Sequence, residues 1–316
     1  MSAPARGGPP ARLLVVGESL VDIIRRGGDD DVRPGGSPLN VSVGLQRLDV
    51  PTALHSSFGA DAHGLTIAQH LEASGVSVTP GTARDRPTSV ALAVIGPDGG
   101  ACYTFSVVWD PAPLEIASET IDAVHVGSVG TALEPGATTV EGLLRELRPT
   151  TVISFDPNVR PQLMGSAEAA LPRVERFVAL ADVVKASDED LAWLYPATTI
   201  PEIMAHWLAL GPALVVVTHG SDGAHALARS GPVRVPALRA DVIDTIGAGD
   251  SFMSGLLAGL SDLGLLRGDR RENLRAIAAS DVAEVLQFAA RCAAITVSRL
   301  GADPPTRRDL ADGRQA

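Results

Sequence analysis

The feature that most restricts the fold is a rhythm in the second half of the chain. From Pro113 onward, short apolar runs at 123–128, 151–156, 182–185 and 213–218 have the length and β-branched content of strands. Longer segments of helical spacing lie between them, notably 167–181 and 201–210. Residues 12–17 form a further, almost uniformly apolar run, as expected of a strand covered on both faces. Such alternation predicts an α/β chain with a central, mostly parallel sheet flanked by helices and joined by right-handed crossovers. Ligands then gather beyond the C-terminal ends of the strands, which is where Ser128, Asp156, Lys185 and Thr218 fall. With 316 residues, 45% of them hydrophobic, the chain can bury the core of one large domain or two small ones.

The stretch with the most chemistry is Asp244-Thr245-Ile246-Gly247-Ala248-Gly249-Asp250. Gly247 and Gly249 permit backbone angles closed to other residues, and Ala248 adds little bulk, so main-chain N–H groups can converge on one point. Phe252, Met253, Leu256, Leu257 and Leu260 follow at helical spacing. The start of that helix, with unpaired N–H groups and the positive end of its dipole, suits an anion. Asp250 then lies in the first turn, a carboxylate beside a site for negative charge. One reading is an anion hole with a base for an attacking hydroxyl; the other is an acid that complements the dipole. A dinucleotide fingerprint fails, because Phe252 stands where a glycine is needed and Arg239 and Asp241 interrupt any buried strand before the turn.

Six more clusters precede it. Glu18-Ser19-Leu20-Val21-Asp22 follows the first strand, and Gly35-Gly36-Ser37-Pro38-Leu39-Asn40 opens a helix with Ser37 as the expected N-cap and Pro38 as the first helical residue. Residues 88–95 and 102–108, separated by Pro97-Asp98-Gly99-Gly100, read as a hairpin. After the later strands come Asp156-Pro157-Asn158-Val159-Arg160, the run from Lys185 to Leu191, and Thr218-His219-Gly220-Ser221-Asp222-Gly223. Ser187 or Asp188 in the middle one equally suits a plain helix cap. A last helix is expected at 290–300, before Gly301-Ala302-Asp303-Pro304-Pro305.

Taken together, these motifs resemble the ribokinase-like (PfkB) carbohydrate kinases, most of all the fructokinases, over about residues 12–305. The resemblance implies a central sheet carrying a small β-sheet lid, with lid strands inserted at about 18–34 and 88–109 of a kinase domain spanning 12–316. It implies that Asp250 is the catalytic base and that the amides of Gly247, Ala248 and Gly249 form the anion hole. Asp22, Gly35, Gly36 and Asn40 would hold the sugar, with Arg160 facing the sugar or phosphate. Lys185, Thr218, Gly220 and Gly223 would serve ATP. Glu189 and Asp156 would organise the water shell of Mg2+, and Asp244, Ile246, Thr296 and Gly301 a loop for K+. In the Phe58–Gly64 segment the acid, Asp61, is expected to be structural.

Fructose is the expected acceptor. Relatives acting on 2-keto-3-deoxygluconate carry extra Arg and Tyr at the end of the hairpin, where this chain has Val107-Val108-Trp109-Asp110-Pro111. That sugar acid, ribose or a nucleoside are the alternatives within the family, and a non-catalytic sugar- or nucleotide-binding regulator is the alternative outside it. No Gly-x4-Gly-Lys-[Ser/Thr] motif is present, which excludes a P-loop kinase.

A net charge of −11 argues against nucleic acid or an anionic membrane as partner. No apolar run reaches the ~18 residues of a membrane span. The two cysteines, Cys102 and Cys292, form no close pair, and the seven histidines show no metal spacing. Residues 1–11 read as a flexible tail without the apolar centre of a signal peptide. These readings predict a cytoplasmic protein acting on small molecules, with a homodimer through the lid as the assembly left open.

Overall fold

The computed structural model describes residues 10–95, 101–114 and 121–312. Its strands, in chain order, begin with β1 (Leu13–Val16), β2 (Leu20–Arg26), β3 (Asp29–Gly35), β4 (Thr52–His55) and β5 (Phe58–Gly59). Then come β6 (Ser77–Val78), β7 (Ala83–Arg84), β8 (Ser89–Ile95), β9 (Ala101–Ser106) and β10 (Ala123–Gly127). The last five are β11 (Val152–Asp156), β12 (Val183–Ser187), β13 (Leu214–Thr218), β14 (Ala224–Ala228) and β15 (Gly231–Val235). Nine of them form one sheet in the order β15-β14-β13-β12-β11-β10-β1-β4-β6. Every pair from β13 to β6 is parallel, and β14 and β15 extend the sheet as an antiparallel edge.

Successive residues of β1 feed opposite layers, as period-2 geometry requires. Leu13 and Val15 pack with the Ser37–Arg47, Ala248–Asp262 and Ala279–Val297 helices on one face. Leu14 and Val16 pack with the Gly136–Leu147, Ala167–Leu180 and Ile200–Leu210 helices on the other. The chain moves outward from β1 through β4 and β6, then returns to β10 on the opposite side and continues to β13. The crevice between the C-terminal ends of β1 and β10 is therefore the topological switch point, the usual ligand position in such sheets.

A second sheet, in the order β3-β2-β8-β9, stands over that crevice. The expected hairpin is present, with β8 and β9 antiparallel and Ile95 opposite Ala101; its turn, 96–100, lies outside the described residues. Asp61 fixes the base of this sheet. It accepts hydrogen bonds from the N–H groups of Gly64 and Thr88 and from the Thr88 hydroxyl, which hold its pKa down at about 2.

The structure corrects three expectations. The last helix runs over Ala279–Val297 rather than 290–300, because Val282, Val285, Leu286 and Ala289 continue its buried stripe towards the N-terminus. Ala11, expected in the tail, is buried and donates its N–H to Ser261 Oγ; residues 1–9 lie outside the described residues. Ser37 is not the N-cap of the first helix. Gly36 occupies that position with φ +107°, where a Cβ would lie 2.7 Å from the carbonyl oxygen of Glu18. Among the described residues, no helix is long and apolar enough to cross a membrane.

Candidate active site

The Ala248–Asp262 helix starts at the crevice and is closely packed on both flanks. Gly255 and Gly259 face the Ala279–Val297 helix so closely that a Cβ on Gly255 would lie 2.8 Å from Ala289 Cα. On its other flank a Cβ on Gly44 would lie 2.3 Å from Ser254 Oγ. Gly247, the N-cap, has φ +75°, and a Cβ there would run into Ala302 at 2.6 Å. This explains the turn chemistry, since the left-handed angle and the close approach both demand glycine.

Asp250, in the first turn, is buried and doubly held. Ser37 Oγ donates to Oδ1 at 2.6 Å, and Asn40 Nδ2 donates to Oδ2 at 2.8 Å. The Ser37 hydroxyl, freed from capping, thus orients the carboxylate. Asn40, expected at the sugar, here also holds Asp250 while lining the same cleft. Each oxygen keeps a lone pair for an incoming hydroxyl.

The cleft has a volume of 670 Å3 and is bounded by Glu18, Asp22, Gly36, Asn40, Arg160, Glu189 and Asp250, with lid residues such as Ala91 and Phe105 above. Gly35 belongs to the same corner, because a Cβ on it would lie 2.0 Å from Asp22 Oδ2. Burial raises the Asp22 pKa to about 6, against the pull of the Arg160 guanidinium and with a small push from Asp250. Glu18 is pushed up to about 7 by burial, although the Ser128 hydroxyl and the Gly130 N–H, at 2.9 Å, favour its charged form. In the sequence Glu18 stands only as one member of a motif. Its position directly after a fully buried strand at the switch point was the available signal.

A second, mostly apolar pocket of 550 Å3 opens on the other side of the turn. Thr218, Gly220 and Gly223 line it, as do Phe252, Ala290 and Val297. Gly223 has φ +98°, and a Cβ there would strike the carbonyl of Val235 at 2.1 Å. The two pockets share Thr245 and Gly249, so they meet at the start of the helix.

Lys185 reaches this junction from β12. Its Nζ lies 2.9 Å from Asp156 Oδ2 and 3.2 Å from where a Cβ on Gly249 would be. Burial works against the ammonium, yet Asp156, Asp190 and Asp250 together hold its pKa above the usual lysine value. Asp156 is lifted by burial to about 6. Its other oxygen accepts the Asn158 N–H at 3.1 Å, so both oxygens are engaged. Of the two acids expected around Mg2+, Glu189 alone presents a carboxylate to the cleft with no side-chain hydrogen bond among the described residues. Ser187 caps the helix that carries Glu189, its Oγ accepting the Asp190 N–H, which was the alternative role for this segment.

Asp244 braces the turn from below, accepting the Ile246 N–H at 3.0 Å and the Gly301 N–H at 2.9 Å. Thr296, expected in a cation loop, is fully buried; its hydroxyl turns to Ser251 Oγ at 2.7 Å and its carbonyl accepts the Arg299 N–H at 3.0 Å. At the end of the lid hairpin Trp109 is buried against Gly136, and Asp110 pairs with Arg86 at 2.9 Å. Arg86 is therefore paired, and the 107–111 segment itself contributes no cation to the cleft.

Residues 11–308 match the model of the pfkB family carbohydrate kinases. A curated fructokinase of Rhizobium leguminosarum bv. trifolii is 34% identical over 259 residues, which cover 78% of this chain and 79% of that protein. The crystal structure of a Vibrio cholerae O395 fructokinase in its fructose-, ADP- and calcium-bound form superposes with a TM-score of 0.78 at 28% identity, covering 96% of this chain and 98% of that one. The ATP-bound fructokinase of Xylella fastidiosa gives a TM-score of 0.81 at 24% identity, covering 95% and 97%.

Proposed function

The chain belongs to the pfkB family of carbohydrate kinases, and from that premise we propose that it transfers the γ-phosphoryl group of ATP to a primary hydroxyl of fructose. The observation that carries the reading is the position of Asp250. It is clamped by Ser37 and Asn40 where a polar, sugar-sized cleft meets an apolar pocket suited to a nucleobase.

The chemistry follows from that placement. Asp22, and Glu18 once ionised, accept hydrogen bonds from sugar hydroxyls, a task suited to acceptor-only carboxylates. Asp250 accepts the proton of the attacking hydroxyl. The N–H groups of Gly247, Gly249 and Asp250, at the positive end of a helix dipole, receive the charge that develops on the transferring group, while the Ala248 N–H donates to the Thr245 carbonyl at 3.2 Å. The Lys185 ammonium adds positive charge beside Gly249. Positioning and electrostatics are what phosphoryl transfer requires of a protein. The four-stranded lid keeps water from competing for the phosphoryl group. Mg2+, held through Glu189, would neutralise charge on the phosphates. K+ would act at the loop of Asp244, Ile246, Thr296 and Gly301, ordering the turn. Two copies pairing through the lid belong to the same reading, in which β3 and β9 are the lid's edge strands.

Support for fructose comes from the relatives named above and from the absence of cations in the 107–111 segment. A coupled ATP assay over a panel of sugars tests it. Fructose is expected to give the highest kcat/KM, and activity is expected to fall when potassium is replaced by a large organic cation. A clear preference for 2-keto-3-deoxygluconate, ribose or a nucleoside would overturn the choice of sugar. No turnover with any acceptor would return the regulator reading.

A further inference from the structure

Arg33 lies on β3, directly across from Asp22 on β2 and two residues before the Gly35–Gly36 corner where the lid meets the main body. Its guanidinium is anchored on one side, donating through Nε and Nη2 to Asp31 Oδ2 at 2.9 and 2.6 Å. The remaining nitrogen, Nη1, reaches the far side of the crevice. A methyl group on Gly301 would lie 2.9 Å from it. Gly301 has φ +74°, a backbone angle that favours glycine.

Beyond Gly301 the connection is continuous. The Gly301 N–H holds Asp244 Oδ2, Asp244 Oδ1 holds the Ile246 N–H, and the next residue is the Gly247 N-cap of the helix bearing Asp250. The guanidinium also interacts favourably with the Asp244 carboxylate. A positive charge carried by the lid strand thus faces the one carboxylate that braces the anion-hole turn.

We propose that Arg33 is a positioning residue for phosphoryl transfer, latching the lid sheet to the Asp244–Gly301 brace so that the 244–250 turn is ordered when the lid covers the sugar. The proposal rests on the kinase reading for its catalytic consequence, while its structural consequence is independent of it. Loss of a packed, electrostatically favourable link of this kind is expected to change the rate by up to roughly tenfold.

The test uses the full-length protein and two readouts. In Arg33→Ala, amide hydrogen exchange of the peptide spanning 244–250 is expected to quicken about tenfold, and kcat to fall by a similar factor with sugar KM little changed. Arg33→Lys, which keeps the charge, is expected to restore most of both, and added guanidinium ion to restore part of the activity of Arg33→Ala. Asp31→Ala, which removes the anchor but leaves the guanidinium, is expected to stay close to wild type. Unchanged exchange over 244–250 in Arg33→Ala would overturn the latch. So would a loss that neither lysine nor guanidinium repairs, since that pattern belongs to a merely structural residue. Wild-type protein that phosphorylates nothing would overturn the kinase reading instead, and the exchange measurement would still decide the latch.

Discussion

Glu18→Gln is expected to make the protein more stable, increasingly so as the pH rises. Glu18 is a buried carboxyl in the wall of the cleft, and burial moves its pKa from 4.5 to about 7. A group raised in the folded state contributes stability that is fully present below its unfolded value and lost as the pH climbs through the folded one. The window is therefore about pH 4.5 to 7. At roughly 1.4 kcal/mol for each tenfold change, the full rise corresponds to a loss of roughly 3 kcal/mol at pH 8. Glutamine has the same shape, can accept the Gly130 N–H and can donate to Ser128, but has no charge to desolvate. Thermal unfolding of both proteins from pH 5 to pH 8 measures the difference. The variant's advantage is expected to grow by about 2 kcal/mol over that range, a gap in Tm of about 3 °C. A gap that stays constant with pH, or one that favours wild type more at pH 8, would refute the buried-carboxyl argument.

Three further outcomes follow from the same contacts. Asp22→Ala is expected to weaken sugar by about 1.5–3 kcal/mol, the worth of a hydrogen bond to a charged group, and ATP far less; equal losses in the two KM values would take Asp22 away from the sugar. Lys185→Met removes the partner of buried Asp156 and is expected to cost about 3–5 kcal/mol. That loss should be larger at pH 8 than at pH 5, because the unpaired Asp156 would titrate higher still; thermal unfolding at the two pH values checks it. Gly255→Ala would press a methyl against Ala289 Cα and is expected to lower stability by about 1–3 kcal/mol, with both KM values near wild type.

Much of this molecule was legible in the sequence because its strongest signals are local. The parallel strands are short apolar runs at regular spacing, and the expected runs overlap β1 and β10 to β13 within one or two residues. The glycines of the 244–250 turn announce backbone angles that only they adopt readily. The antiparallel edge β14–β15 was not anticipated, since its pattern of small residues, Ala224-His225-Ala226-Leu227-Ala228, lacks the β-branched content of the other strands. Partnerships across the fold were harder to see. Ser37 looks like an ordinary cap until the helix of Asp250 arrives 213 positions later to meet its hydroxyl. Thr296 looks available to a cation loop until its neighbour across the helix pair, Ser251, takes the hydroxyl. Glu18 is only one member of a motif in the sequence until the fold buries it beside Ser128 and Gly130, more than a hundred positions away. Each depends on contacts at long sequence separation, which neither periodicity nor turn chemistry encodes.

The central claim is that Asp250 is the base, and Asp250→Asn tests it most directly. The asparagine keeps the side-chain shape. Its oxygen can accept from Asn40, and its amide can donate to Ser37 Oγ, so the clamp and the fold should survive. It lacks the basic oxygen that takes the hydroxyl proton. General-base catalysis is worth roughly 10²–10⁴ in rate, and the interaction is made mainly in the transition state. The expected result of steady-state kinetics is a kcat lower by about that factor, with KM for sugar and ATP close to wild type. A variant that binds both substrates normally and turns over at the wild-type rate would contradict the account.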